Sequence, residues 1–314
     1  MKKTGIALLL LLAVMLTACG QTPQNNIGST PATTTAVTTE PEETWATVAA
    51  DRTITAQQYF VYSCESETFL NIAQDATTKI YPASVTKLFT AYVALQYVTP
   101  TQTVAAGDVL NMVAAGSSVA EIAKGDVLTV EQLVEAMLLP SGNDAAYLLA
   151  AHAGKAMAGE KADEQSTEKS VQRFVAEMNA QAKLLGMNDT NFANPDGIHS
   201  ESHYTTYADL AIMGTLALED PTIMKYARVS SAEIALQSGT KTWKNTNALI
   251  DPASPWYCPY ATGLKTGQTP YAGSCLLSSF EYKGTTLLIG VFGCPTADDR
   301  FPDTLLLFQK TIAQ

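Results

Sequence analysis

Histidine is the scarcest catalytic residue type in this 314-residue sequence, with three copies. A Ser-His-Asp triad must use one of them, and a histidine-built metal site has little to draw on. Basic residues are also few, 19 Lys and Arg against 30 Asp and Glu, for a net charge of −11. Setting aside Lys2 and Lys3, which lie in a segment argued below to be removed, leaves 17 against 30, or −13. Such a surface repels phosphate backbones and anionic headgroups, so nucleic acid is excluded as a partner and so is polybasic docking to a membrane. Five cysteines are too few to build a disulfide scaffold at this length. Long apolar runs are missing too: Gly5 to Leu16 is about half of the ~20 residues that a stable membrane span needs. What is plentiful is apolar side chain, 46% of the sequence against 16% charged. That is ample core for one large domain or two ordinary ones.

Met1-Lys2-Lys3, the apolar run and the small residues after it read as a secretory signal, which places the chemistry outside the cytoplasm. Leu16-Thr17-Ala18-Cys19 resembles a bacterial lipobox, in which residues 1–18 are discarded and Cys19 is lipidated, anchoring the protein to the membrane. An ordinary signal peptide with an incidental cysteine is the alternative. Gln21 to Thr44 then holds eight threonines and three prolines with no Lys or Arg. Such a stretch cannot bury enough surface to offset its ordering entropy, so residues 19–50 are expected to be a tether spanning roughly 30 Å as a flexible coil. The folded part is expected over 51–314.

Thr53 to Ala56, Tyr59 to Cys64 and Phe69 to Ile72 read as strands. Pro82 opens a helix whose apolar positions Val85, Leu88, Phe89, Tyr92 and Val93 share one face. Thr129 and Gln132 make a capping-box pattern before Val130 to Leu139, and Pro140-Ser141-Gly142-Asn143 interrupts the periodicity before Asp144 to His152 resumes it. Lys155 to Lys169 reads as a solvated loop or helix end ahead of a helix near Val171 to Leu185. The last third returns to strands at Ala232 to Leu236, Gly263 to Gln268, Ser274 to Ser279 and Thr285 to Gly293, with a hairpin at Lys283-Gly284 and a closing helix from Phe301 to Ile312. Strands at both ends with helices between them do not alternate as βαβ units. The expected architecture is α/β of the α+β type, a central antiparallel sheet flanked by helices with an inserted all-helical subdomain.

His152 sits at the end of an apolar helix and reads as structural. His199 and His203 are four apart, but the residues between them do not complete a His-Glu-x-x-His pattern and no third ligand is near, so no metal is assigned. Lysine is the other side chain able to activate a serine. Ser84-Val85-Thr86-Lys87 places a hydroxyl and an amine three residues apart on one helix face, and a neutral lysine can take the serine proton if burial or a second cation depresses its pKa. Lys265, in Lys265-Thr266-Gly267, could supply that cation while attracting a carboxylate. Ser141 offers a hydroxyl to relay protons, and Asn143 an amide able to bind both the lysine and a substrate carbonyl. A second S-x-x-K, Ser166 to Lys169, lies in a charged stretch with no S-x-N after it. The first copy heads an apolar helix, and Ser141 follows it by 57 residues and Lys265 follows Ser141 by 124.

The strings Tyr81-Pro82-Ala83-Ser84-Val85-Thr86-Lys87-Leu88, Ser141 to Ala146 and Gly263 to Thr269 resemble the D-alanyl-D-alanine carboxypeptidases of serine peptidase family S11, the low-molecular-weight penicillin-binding proteins. Asn194-Pro195-Asp196-Gly197 and His203-Tyr204-Thr205-Thr206 also resemble that family, though the first reads equally well as a plain tight turn. The resemblance implies a β-lactamase/transpeptidase-like fold and an enzyme that removes the terminal D-alanine from peptidoglycan pentapeptide stems. It needs no cofactor and is covalently inhibited by β-lactams. It further implies that Ser84 attacks the carbonyl between two D-alanines, that Lys87 takes its proton, and that Ser141 and Asn143 relay protons and position the amide. Lys265, Thr266 and Gly267 would lie against the leaving D-alanine, with Lys265 and Thr266 on its carboxylate. The Ser84 and Gln268 N–H groups would form the oxyanion hole. Arg300 matches a basic position of the family, although an exposed arginine is the commoner case. Many relatives carry a C-terminal β-rich domain and a membrane-lying helix; here the sequence ends at Gln314, and the N-terminal lipid is expected to replace that helix.

A serine β-lactamase or a β-lactam sensor of the same fold is the nearest alternative, and the absence of E-x-x-L-N argues against rapid β-lactam turnover. A lipoprotein solute-binding module explains the first fifty residues as well, but has no use for the serine and lysine motifs. Cys64, Cys258, Cys275 and Cys294 are an even set in an oxidising compartment. Cys275 and Cys294 fall on two arms of one hairpin, and either a disulfide or buried free thiols are compatible with that placement.

Overall fold

In the computed structural model, residues 45–159 and 166–314 are described. The signal segment, Cys19 and the tether up to Thr44 lie outside them. β1 (Gln58–Ser63) and β2 (Thr68–Ile72) come from the start of the domain, and β7 (Ala261–Thr269), β8 (Gly273–Tyr282) and β9 (Thr285–Cys294) from its end. They join in one antiparallel sheet of order β2-β1-β9-β8-β7. The expected union of the two chain ends is what forms.

Between them runs the helical insertion. It holds α1 (Thr86–Leu95), the short ladder of β3 (Thr103–Ala105) with β4 (Val127–Thr129), α2 (Val130–Leu138), α3 (Asn143–Ala156), α4 (Thr167–Leu184), α5 (Tyr207–Glu219) and α6 (Pro221–Ala227). The Thr129–Gln132 capping box is present with both of its hydrogen bonds. The hairpin of β5 (Ser231–Leu236) and β6 (Gly239–Lys244) follows, and α7 (Arg300–Ile312) closes the chain. No helix among the described residues is long and apolar enough to cross a membrane.

Alternation along the strands separates two apolar layers. Phe60, Leu288 and Phe292 face the layer shared with α1 and Ala83, while Val61, Ile289 and Val291 face the layer shared with α7. Cys275 lies in the first layer and Cys294 in the second, on opposite sides of the sheet. All four described cysteines are free thiols, and burial pushes both of these up to about 12. Cys64 neighbours β9 through its N–H, which donates to the Thr286 carbonyl at 3.0 Å.

One local expectation is corrected. Thr53 to Ala56 forms no strand. The carboxylate of Asp303 on α7 is fully buried and accepts from the N–H groups of Thr55 and Ala56 and the Thr55 hydroxyl, each at 2.8 Å, so these donors are satisfied without a sheet partner. The segment is further pinned by Trp45, which packs on Tyr260 and Phe308 of the α7 layer. The second S-x-x-K is a helix cap: Ser166 is the N-cap of α4, and its hydroxyl accepts from the Lys169 N–H at 3.3 Å.

Candidate active site

Pro82 leads not directly into an α-helix but into one turn of 3-10 helix, Ala83–Val85, which delivers Ser84 to the head of α1. Ala83 has φ +48, a left-handed conformation that costs an alanine energy and persists only where the surroundings enforce it. They do so from both sides. A Cβ added at Gly267 on β7 would lie 2.9 Å from Ala83 Cβ and 3.0 Å from the Ser84 nitrogen. One added at Gly197 would lie 1.9 Å from the Ala83 carbonyl oxygen. Two glycines therefore let β7 and the 194–198 loop close directly on the serine turn.

Lys87 follows one turn later and is fully buried. Its three donors have three acceptors: Ser84 Oγ at 2.8 Å, Asn143 Oδ1 at 2.6 Å and the Asp196 carbonyl at 2.7 Å. Burial pushes its ammonium down to about 8, with Asp196 and Asp144 pulling the other way. Lys87 and Lys265 repel each other. Lys265 is itself buried, and its ammonium is held well below the usual lysine range by burial first and then by Lys87 and Arg300.

Ser141 and Asn143 fall where the break in periodicity puts them, between the end of α2 and the first residue of α3. Ser141 is buried at φ +65. Among the hydrogen bonds of Lys87 it is Asn143, not Ser141, that takes part. The Asn143 N–H donates to the Ser118 carbonyl at 2.9 Å, which ties α3 to the wall of the cleft.

β7 is the edge strand beside the serine turn. The Thr266 hydroxyl meets that of Thr246 at 2.5 Å, and the Lys265 ammonium donates to the Thr266 carbonyl at 3.1 Å. Arg300 is buried rather than exposed, and its guanidinium donates to the Gly267 carbonyl at 3.4 Å. Burial lowers its pKa too. Lys265 and Arg300 bring two buried basic groups together behind β7, a setting that suits an anion, with Asp298 acting on Arg300. Ser84, Ser118, Asn143, Ile198, Gln268 and Thr269 line a cleft of about 440 Å³ over these groups.

Asn194 to Gly197 is more than a plain turn. The Asn194 side chain accepts from the Gly197 N–H and donates to the Ile198 carbonyl, both at 2.8 Å, which turns the peptide carbonyls toward α1. Pro195 then accepts from the Thr90 hydroxyl at 2.7 Å, three residues along the same helix face as Lys87. The Asp196 carboxyl is buried, has one oxygen without a partner, and is raised above the usual carboxylate range by burial.

His203 also has a place here. Its Nδ1 accepts from the Ala193 N–H at 3.1 Å, so Nε2 carries the proton and donates to the Thr86 hydroxyl at 2.8 Å, which donates to the Ala83 carbonyl. Burial lowers this imidazole to about 4. His199 is stacked on Tyr271 at 3.8 Å between ring centroids, with Tyr81 edge-on to it.

Residues 44–296 match the family described as D-alanyl-D-alanine carboxypeptidase. The D-alanyl-D-alanine carboxypeptidase DacF of Bacillus subtilis (strain 168) is 28% identical over 231 residues, 72% of this chain and 54% of that protein. The D-alanyl-D-alanine carboxypeptidase of Streptomyces sp. (strain K15) is 33% identical over 183 residues, 56% of this chain and 58% of its own length. This chain thus spans little more than half the length of these curated relatives. The crystal structure of the Streptomyces K15 DD-transpeptidase superposes with a TM-score of 0.75 at 29% identity, covering 84% of this chain and 99% of that one.

Proposed function

Since the chain belongs to the D-alanyl-D-alanine carboxypeptidase family, we propose that it is a serine DD-carboxypeptidase that removes the terminal D-alanine from peptidoglycan stem peptides. The observation that carries this is the buried Lys87 ammonium, 2.8 Å from Ser84 Oγ and pushed down to about 8. About a tenth of such an amine is neutral at pH 7. In that fraction the Ser84 hydroxyl donates to the lone pair of Nζ, while Asn143 and the Asp196 carbonyl accept the two remaining N–H bonds.

The stem peptide adds to the open edge of β7 as an extra strand. Its terminal carboxylate fits the anion site of Lys265, Thr266 and Arg300, and an arriving anion raises the depressed Lys265 ammonium back toward the charged form. Ser84 Oγ bonds to the carbonyl carbon between the two D-alanines as its proton passes to Lys87. The N–H groups of Ser84 and Gln268 stabilise the oxyanion. The proton then reaches the departing amine, with the Ser141 hydroxyl as relay, and the C–N bond breaks to leave an acyl ester on Ser84. Water hydrolyses the ester with Lys87 again as base. A β-lactam carries the same carboxylate and a strained amide, so it acylates Ser84 and stays.

The proposal divides the chain into a signal at 1–18, a tether at 19–50 and the catalytic domain at 51–314, held at the outer face of the membrane by lipid on Cys19. The sequence from Leu16 to Cys19 and the Thr/Pro composition after it support that division.

The test incubates the protein with a pentapeptide ending in D-Ala-D-Ala. Mass spectrometry should find free D-alanine and an acyl adduct on the peptide containing Ser84. Absence of both would overturn the assignment. Metabolic labelling with palmitate, lost in Cys19→Ala, tests the anchor.

A further inference from the structure

Three aromatic rings stand in a row at one end of the cleft. His199 follows Ile198 and Tyr271 follows Pro270, so each comes directly after a residue that lines the cleft. Their rings are stacked, with 3.8 Å between centroids and 13° between planes. Tyr81, on the segment that leads into the serine turn, meets the imidazole edge-on at 4.7 Å. The row ties the β7–β8 turn to the loop of Gly197 and to the approach to Ser84.

Tyr271 is 71% exposed, and among the described large apolar side chains only Leu184 is more so. A ring so exposed ordinarily moves among its rotamers, but this one is held. Pro270 before it has a fixed backbone angle. Ala272 after it donates its N–H to the Thr269 hydroxyl at 2.9 Å, and its carbonyl accepts from the Gly293 N–H at 3.1 Å. His199 covers one face of the ring, at the cost of a buried Nδ1 without a hydrogen-bond partner. The other face is left to solvent. A fixed ring with one open face is a platform that can bind with little ordering cost.

The direction of the substrate says what reaches it. With the terminal carboxylate at Lys265 and Thr266 and the scissile carbonyl at the Gln268 N–H, the stem runs on toward Thr269, Pro270 and Tyr271. An extended chain advances ~3.3 Å per residue, so the amino end of a five-residue stem lies about 13 Å from Thr266, and Tyr271 lies no more than about 17 Å from it. In peptidoglycan that amino end is joined through a lactyl group to a pyranose. The faces of a pyranose carry C–H bonds with slightly positive hydrogens, and the face of a tyrosine ring is negative.

We propose that the open face of Tyr271 binds the sugar ring to which the stem peptide is attached, with His199 and Tyr81 holding the platform in place. The proposal rests on the carboxypeptidase reading and extends its substrate beyond the peptide.

The test uses two substrates with the same pentapeptide ending in D-Ala-D-Ala. One is capped at its amino end by lactate and the other by N-acetylmuramic acid, which adds the sugar. D-alanine release should have a kcat/KM about fivefold higher for the muramoyl peptide, as one aromatic stacking contact contributes. In Tyr271→Ala the two should become equal, while Tyr271→Phe, which keeps the ring, should retain the difference. These ratios do not depend on how much enzyme is folded. Equal rates for the two substrates with wild type, an unchanged ratio in Tyr271→Ala or a lost one in Tyr271→Phe would overturn the platform and leave the carboxypeptidase standing. Release from neither substrate would remove both.

Discussion

Gly197 packs so closely on the peptide before the serine that a Cβ there would sit 1.9 Å from the Ala83 carbonyl oxygen. The contact joins residues more than a hundred positions apart and leaves the serine turn no freedom to retreat. At φ +86 the position also disfavours any side chain. Gly197→Ala must therefore displace the turn, and a shift of about 1 Å in a reacting group costs on the order of a hundredfold in rate. We expect the variant to fold, by circular dichroism, and to react with a fluorescent penicillin at least about a hundredfold more slowly. Labelling at the wild-type rate would contradict the role given to this glycine.

In the proposed mechanism Lys87 sets the pH dependence of acylation. The base is the neutral amine, so below its pKa of about 8 the reactive fraction falls about tenfold per pH unit, and above it the rate levels off. Stopped-flow acylation by a β-lactam should trace that acid limb. Lys87→Arg should remove acylation altogether, because a guanidinium keeps its proton. A flat profile between pH 6 and 9 would mean that another group takes the serine proton.

His203 should make stability fall in mild acid. Its folded pKa is lowered to about 4 from 6.5, so between these values the unfolded chain binds a proton that the folded chain refuses, and stability is lost as pH falls. Burial of the ring is the main cause, and a proton on Nδ1 would in addition face the Ala193 N–H. Urea unfolding at pH 7 and at about pH 4.5 should show wild type losing about 2 kcal/mol more than His203→Gln. Equal losses would show the imidazole to be irrelevant.

Asp303 holds the entry of the chain to the domain. Truncating it leaves the N–H groups of Thr55 and Ala56 and the Thr55 hydroxyl without their acceptor, and Arg52 without an ion-pair partner that is itself fully buried. Asp303→Ala should cost about 3 kcal/mol in urea unfolding. Trypsin should then cut at Arg52 in the variant and not in wild type. Resistance equal to wild type would mean that packing of Trp45 alone secures the segment.

The candidate catalytic side chains were legible because the chemistry proposed for them is carried by residue type and spacing. Ser84 and Lys87 share a helix face, and Asn143 stands at a break marked by Pro140 and Gly142. The Asp196 carbonyl on Lys87 was not legible, since any residue supplies a carbonyl and only folding brings this one to α1. The Asn194 to Gly197 string stands out by its resemblance to the family and reads equally as a tight turn, yet what the structure adds is a glycine fitted against Ala83. Thr53 to Ala56 misled because its alternation is that of a strand, while its donors are satisfied by one distant carboxylate. β6 escaped notice because Gly239-Thr240-Lys241-Thr242 lacks the apolar alternation that marks a strand with one buried face, and most of it is exposed in the structure. The two-ended antiparallel sheet, by contrast, followed from the order of elements alone.

The position of β7 at the rim of the sheet has one more consequence. A reaction site on an unpaired strand sorts molecules by the state of their own backbone. A folded protein offers free backbone only at its own sheet edges, loops and ends, whereas a short, conformationally loose chain can lay its whole length beside Lys265 and Thr266. In the proposed mechanism the exposed edge therefore favours short peptides over folded neighbours.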